Sequence, residues 1–279
     1  MLFRFGASTP IKQLLDLGVM LTYLPCALIM VGFTIATTLS RKTNWNDASL
    51  GALVAAFPNT GFMGLPILIA FLGNAVAGPA IITIVIDMLV TTSLCVALSR
   101  WDAAGEHGAR VAFTQAMKGM LSNPMPWGIL LGTAASALGY ELVGPAAKTV
   151  DLLGLAASPV ALFTIGAVLA RSSNNQAVSG SSTALKKNPW RQAAAVALFK
   201  LLLHPLLVLL VGSAVIQLGV SLSPFALTVI VLVAALPSAS NVSLLAEKFY
   251  ADTGRIARII LISTALSFLT FSAAVGLLI

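Results

Sequence analysis

Six stretches of this chain carry no charged residue: Leu17 to Ser40, Ala48 to Ile86, Gly119 to Tyr140, Leu152 to Ala170, Leu201 to Ala246 and Ile259 to Ile279. A helix of about 20 apolar residues crosses the hydrocarbon core of a bilayer, and each run is about that long or longer. Only 9% of the residues are charged and 58% are apolar, against about 25% charged in an ordinary soluble domain. Such a surface cannot face water on all sides, which excludes a soluble enzyme. The sequence describes an all-α, polytopic membrane protein.

Turn residues divide the two longest runs, one at Gly73, Gly78 and Pro79 and the other between Gly219 and Pro224. Eight spans result, over residues 15–40, 48–72, 78–99, 119–139, 146–170, 192–217, 224–247 and 256–279, within a single transmembrane domain, 1–279. The polar segment from Ser172 to Pro189 reads as a solvated loop between spans five and six. The net charge of +7 sits in the connections, where it sets topology instead of offering a nucleic-acid surface. Arg41, Lys42, Arg100, Arg110, Lys118, Arg171, Lys186, Lys187, Arg191, Lys248, Arg255 and Arg258 fall on one side, and Arg4, Lys12 and Lys148 on the other. Basic residues are retained in the cytoplasm, so both termini are expected outside it. The opening MLFRFGASTPIKQLL lacks the apolar stretch and cleavage site of a signal peptide. Cys26 and Cys95 lie within apolar runs and read as small buried hydrophobes, with no metal or cofactor site implied.

The informative residues are those that cost energy in lipid. Span two contains FPNTGFMGLPI, which places Pro58, Asn59, Thr60, Gly61, Gly64 and Pro66 near its middle. Proline removes a backbone donor and clashes with the preceding turn, and a membrane helix tolerates this where the freed carbonyls face protein or water. Span seven has a second polar interruption at similar depth, Pro237, Ser238, Ser240 and Asn241. Two interrupted helices of opposite direction are the pattern of inverted repeats meeting at the bilayer midplane around a substrate. Half-helix N-termini there suit a carboxylate, and asparagine adds a donor and an acceptor without burying a charge. The competing reading is that proline and glycine are common in membrane helices and that Asn bonds a neighbouring helix.

Asp87 lies 13 residues before Arg100, about 19 Å by helical rise, which is near the midplane. It must face a cavity, pair with a cation or hold a proton; a proton-coupling role and a neutral acid bonded to a neighbour are both open. Lys200 and His204 stand four residues apart on one helix face of span six. Lys200 either snorkels to the surface or attracts an anion or pairs with Asp87. His204 either titrates beside it or bonds the backbone freed at Pro205. His107 reads as a solvated loop residue. An intramembrane hydrolase lacks any G-x-S-x-G or H-E-x-x-H motif to support it. A channel has no ring of like charges or repeated filter sequence, although a homo-oligomer can build one from a single site.

Five segments carry a resemblance to a known family: FPNTGFMGLPI at 57–67, NPMPWGILLG at 123–132, SPVALFTIGAVLA at 158–170, FKLLLHPLL at 199–207 and LPSASNVSLLAEKFY at 236–250. In this order they resemble the auxin efflux carrier family, whose bacterial members include malonate-transporter-like proteins. The resemblance implies an inverted-repeat transporter fold of two five-helix repeats, in which two proline-broken helices cross and hold the substrate. Asn59 and Asn241 match the crossover asparagines expected to meet an anion, with Thr60, Gly61, Pro66, Pro237 and Ser238 around them. The family's ten spans against eight here imply an incomplete first repeat over 1–118 and a complete second over 119–279.

The function expected is therefore secondary transport of a small organic anion, a dicarboxylate such as malonate, across a bacterial cytoplasmic (inner) membrane by alternating access. Asp87, Lys200 and His204 would serve coupling or charge relay, with proton coupling or simple potential-driven movement preferred because no oxygen-rich sodium cage is visible. The expected partners are the substrate, the lipid bilayer and, in a homodimer, a second copy. A non-transporting membrane subunit or remnant of such a carrier is the alternative.

Overall fold

The computed structural model describes residues 15–40, 43–100, 124–140, 142–178 and 189–279, together with Phe3, Gly6, Ala7 and Thr114. Those residues form helices throughout, joined by short turns. Helix α1 is Leu17–Thr38; α2, Trp45–Ala56, and α3, Thr60–Leu72, lie on either side of the interruption expected in the second span. Helix α4 is Asn74–Ser99, α5 is Pro124–Ala137 and α6 is Gly144–Val178. Helix α7 runs from Pro189–Leu198 through the wide turn Phe199–Leu203 into His204–Gln217. Helices α8, Pro224–Ala235, and α9, Val242–Lys248, lie on either side of the interruption expected in the seventh span, and α10 is Thr253–Leu278. Leu17–Thr38, Asn74–Ser99, Trp190–Gln217 and Thr253–Leu278 are each long and apolar enough to cross a bilayer.

The helix starts have local causes. The Asp16 carboxylate accepts from Val19 N at 3.1 Å, Asn44 Oδ1 from Asp47 N at 2.8 Å, Ser223 Oγ from Ala226 N at 3.0 Å and Asp252 Oδ1 from Arg255 N at 2.8 Å. Each satisfies one of the N–H groups that a first helical turn leaves without a partner. One sequence expectation needs correction: α6 continues as helix to Val178, so Ser172 to Val178 extend the span instead of opening a loop. Ser, Asn and Gln cost a helix only a few tenths of a kcal/mol each relative to the best formers, too little to end one. The remainder of that expected loop, with Lys186 and Lys187, and the orientation residues Arg4, Lys12, Arg41, Lys42, Arg110 and Lys118, lie outside the described residues, as does His107.

Two apolar clusters lie on either side of the interruptions. One takes Val19, Tyr23, Cys26 and Ala27 from the first half of α1, Leu65 and Leu68 from α3, and most of α8. The other takes Met30, Val31 and Ile35 from the second half of α1, Leu50 to Ala56 from α2, Val242 and Ala246 from α9, and Ile256 to Ile260 from α10. Each interrupted span thus gives one half to each cluster, which leaves the breaks between them. Helix α1 is seated by a close approach: a Cβ on Gly18 would collide with the backbone carbonyl oxygen of Ser221. Because backbone cannot swing aside as a side chain does, Gly18→Ala is expected to cost about 1–3 kcal/mol, measured as a lowered melting temperature in detergent.

Candidate functional site at the helix crossing

Proline sets both breaks. Pro58 and Pro237 lack the N–H that would continue their helices, and the freed chain ends meet each other. Asn59 N donates to Pro237 O at 2.8 Å and Ala239 N donates to Phe57 O at 2.9 Å, a two-bond antiparallel bridge centred on Pro58 and Ser238. The two interrupted spans are therefore tied at their breaks by their own backbones. Ser238 N is taken by Ser263 Oγ of α10 at 3.2 Å, and Asn59 O accepts from Met63 N at 3.2 Å and Gly64 N at 2.9 Å. A Cβ on Gly64 would strike the Leu236 side chain, so the crossing uses glycine for proximity.

Around this bridge are polar atoms that the protein leaves unused. Asn59 Oδ1, Thr60 Oγ1, Ser238 Oγ and Ser240 Oγ are buried without a hydrogen-bond partner. A buried unsatisfied polar group costs about 1–3 kcal/mol, so four at one place call for an explanation beyond folding. The hydroxyls can donate to an anion and the amide can turn either end towards it. Thr60 also opens α3, whose N-terminal turn adds a positive dipole end.

A second polar group lies beside the crossing. Asp87, at the start of the wide turn Asp87–Thr91 in α4, accepts from Tyr23 Oη at 2.8 Å and from Thr91 Oγ1 at 3.2 Å. Lys200, in the wide turn of α7, lies 2.9 Å from His204 Nδ1 and donates to Ala234 O at 2.9 Å. Ala234 is in the last turn of α8, where Ser238 N would be its helical partner if the helix continued; Lys200 occupies that role and meets the negative end of the half-helix dipole. The Tyr23 and His204 rings are 5.7 Å apart between centroids, which joins the two halves of the cluster. Tyr23, Asp87, Lys200 and His204 are all 0% exposed.

The chain matches a family model described as "Membrane transport protein" over residues 3–275. It belongs to the auxin efflux carrier family. A Rhizobium meliloti (strain 1021) protein named "Putative malonate transporter" is 25% identical over 277 residues, which is 99% of this chain and 82% of that protein. The Escherichia coli (strain K12) protein named "Uncharacterized transporter YfdV" is 27% identical over 216 residues, 76% of this chain and 63% of its own length. The E. coli O157:H7 protein of the same name gives the same figures, so this chain spans less than two thirds of those two relatives. Membership places the protein among the membrane transport proteins of this family.

Within this auxin efflux carrier relative, Asn59, Thr60, Gly61, Pro237, Ser238 and Asn241 fall at or within three residues of the bridge at Pro58 and Ser238, whereas Pro66 is on an exposed face one and a half turns into α3. Two open alternatives are resolved by contact. Lys200 does not snorkel, since it is fully buried, and His204 faces Lys200 instead of the carbonyls freed at Pro205. Sequence reasoning missed Tyr23 and Ser263, each a polar tip within an apolar span. It also missed a clasp at the other end of the crossing helices: Asn46 Nδ2 donates to Phe249 O at 2.9 Å, Asp252 N to Asp47 Oδ1 at 2.8 Å and Arg255 Nη1 to Asp47 O at 3.2 Å.

Proposed function

We infer that this protein is a secondary carrier of a small organic anion, a dicarboxylate of the malonate type, across the cytoplasmic membrane of a bacterium by alternating access. The observation that carries this reading is the cluster of unpartnered buried oxygens around the backbone bridge at Pro58 and Ser238. Asn59, Thr60, Gly61, Ser238 and Asn241 hold the carboxylate, and Pro66 and Pro237 shape the helices that present them. The two breaks occupy corresponding positions of inverted repeats over 1–118 and 119–279, and the chain is multi-pass with both termini outside the cytoplasm. Asp87, Lys200 and His204 serve coupling, which is proton-linked or driven by the membrane potential. The name of the R. meliloti relative is the support for malonate, and a homodimer is the assembly we favour.

The test is counterflow of labelled malonate in proteoliposomes, with the carrier at a fixed density. Uptake by the native protein is expected, and Asn59→Ala and Asn241→Ala are each expected to weaken the apparent affinity about tenfold or more, the effect of losing one hydrogen bond to a charged group. Native-like uptake in both variants would contradict the site, and no movement of malonate or any other short dicarboxylate would contradict the function.

A further inference from the structure

The hydrogen bonds of the buried cluster beside the crossing favour one charge balance. Both carboxylate oxygens of Asp87 lie within hydrogen-bond reach of a hydroxyl, Tyr23 Oη and Thr91 Oγ1, an arrangement that suits an ionised acid. The 2.9 Å contact between Lys200 Nζ and His204 Nδ1 has room for one hydrogen, so the imidazole is the acceptor and is neutral whenever the lysine is charged. His204 Nε2 is buried with no acceptor, so nothing stabilises an imidazolium. The cluster is then one anion and one cation, Asp87 and Lys200, which attract each other across a low-dielectric interior. The other titratable groups within these helices are Cys26 on α1 and Cys95 on α4, both buried, and Arg191 in the opening turn of α7. Helix α8 has none. Asp47 on α2 and Arg255 and Arg258 on α10 stand in the opening turns of their helices, at the clasp end.

We propose that Asp87 takes up the coupling proton and that Lys200, through its hydrogen bond to the carbonyl of Ala234, passes the resulting charge to the crossing, so that a proton and an organic anion bind together. The proposal rests on the carrier reading above. In the proton step a hydronium ion gives its proton to an Asp87 oxygen, one O–H bond breaks and one forms, and water leaves. The Tyr23 hydroxyl, a donor to the carboxylate, turns to accept from the new acid. The cluster is left with the uncompensated charge of Lys200, which is costly in a dry interior. Lys200 is fixed to the end of α8 through Ala234, three residues before Pro237, and one anionic carboxylate at the crossing, of the two that a malonate dianion carries, balances its charge. Anion without proton, or proton without anion, leaves a net buried charge. Lys200 is in this account a positioning residue and Asp87 the proton carrier.

The experiment is malonate binding to the full chain in nanodiscs, read calorimetrically in two buffers of different ionisation enthalpy, under alkaline conditions in which malonate is fully ionised. The native protein is expected to take up about one proton per malonate and to lose affinity up to about tenfold per pH unit on the alkaline limb. Asp87→Asn should bind with no proton uptake and an affinity that no longer varies with pH. Lys200→Arg should keep the pH-linked binding that Lys200→Met loses, a difference that a purely packing role would not produce. Malonate binding to the native protein with no proton taken up would overturn the proposal, even if Asp87→Asn fails to fold, and so would an Asp87→Asn protein that retains the native pH slope. Absence of malonate binding by the native protein at any pH would instead fail the carrier reading and take this inference with it.

Discussion

Lys200→Met is expected to destabilise the folded protein by about 3–5 kcal/mol, the range found when one partner of a buried charge pair is removed. Methionine fills much of the same volume, so the loss is electrostatic in origin. Asp87 is left as a buried carboxylate without a cation, and Ala234 O and His204 Nδ1 lose their shared donor. The effect has a sign that packing cannot imitate. Adding Asp87→Asn to Lys200→Met removes the stranded charge, so the double variant should be more stable than Lys200→Met alone, recovering roughly half or more of the loss by a coupling of the size seen between groups in one network. Denaturation in detergent, followed by the near-ultraviolet signal, measures both. A double variant as unstable as the sum of its two single changes would show that Asp87 and Lys200 do not form one electrostatic unit.

The second large effect concerns the unpartnered hydroxyls. Ser238→Ala removes an oxygen that is buried and makes no hydrogen bond, so the folded state gives up no interaction and is relieved of a desolvated polar group. Stability is expected to be unchanged or to rise by up to about 1–3 kcal/mol. Affinity for the anion should fall by about tenfold or more, because the same hydroxyl is a donor to the carboxylate in the account above. Thr60→Val should behave alike, with nearly the same shape retained. A residue kept for packing would lose stability on truncation, whereas one kept for binding loses affinity while stability holds or improves.

Much of the fold was legible because the physics was one-sided. Charged residues cannot stay unpaired in lipid, so the uncharged runs outlined the helices, and Pro58 and Pro237 marked the breaks because each lacks a backbone donor. Less was legible where the outcome depended on a partner distant in sequence. Lys200 could be read as snorkelling since only the position of Ala234, 34 residues on, decides whether its ammonium finds an acceptor inside. The hydroxyl of Tyr23 is aimed at Asp87, 64 residues away, and nothing local to LTYLPC distinguishes that from an interfacial tyrosine. The reach of α6 to Val178 was hidden for another reason: polar composition signals water, and water does not end a helix. The backbone bridge at Pro58 and Ser238 could be expected only as a crossing, because the register of two chain segments is set by packing on both sides of it.

The central claim is that the crossing of the two broken helices is the anion site. The most direct measurement is the malonate dissociation constant of Ser238→Ala beside that of the native protein, with the melting temperature of each taken on the same sample. The account predicts a weakened affinity, about tenfold or more, in a protein that melts at or above the native temperature. An unchanged dissociation constant in an equally stable protein would contradict it and move the site away from the bridge.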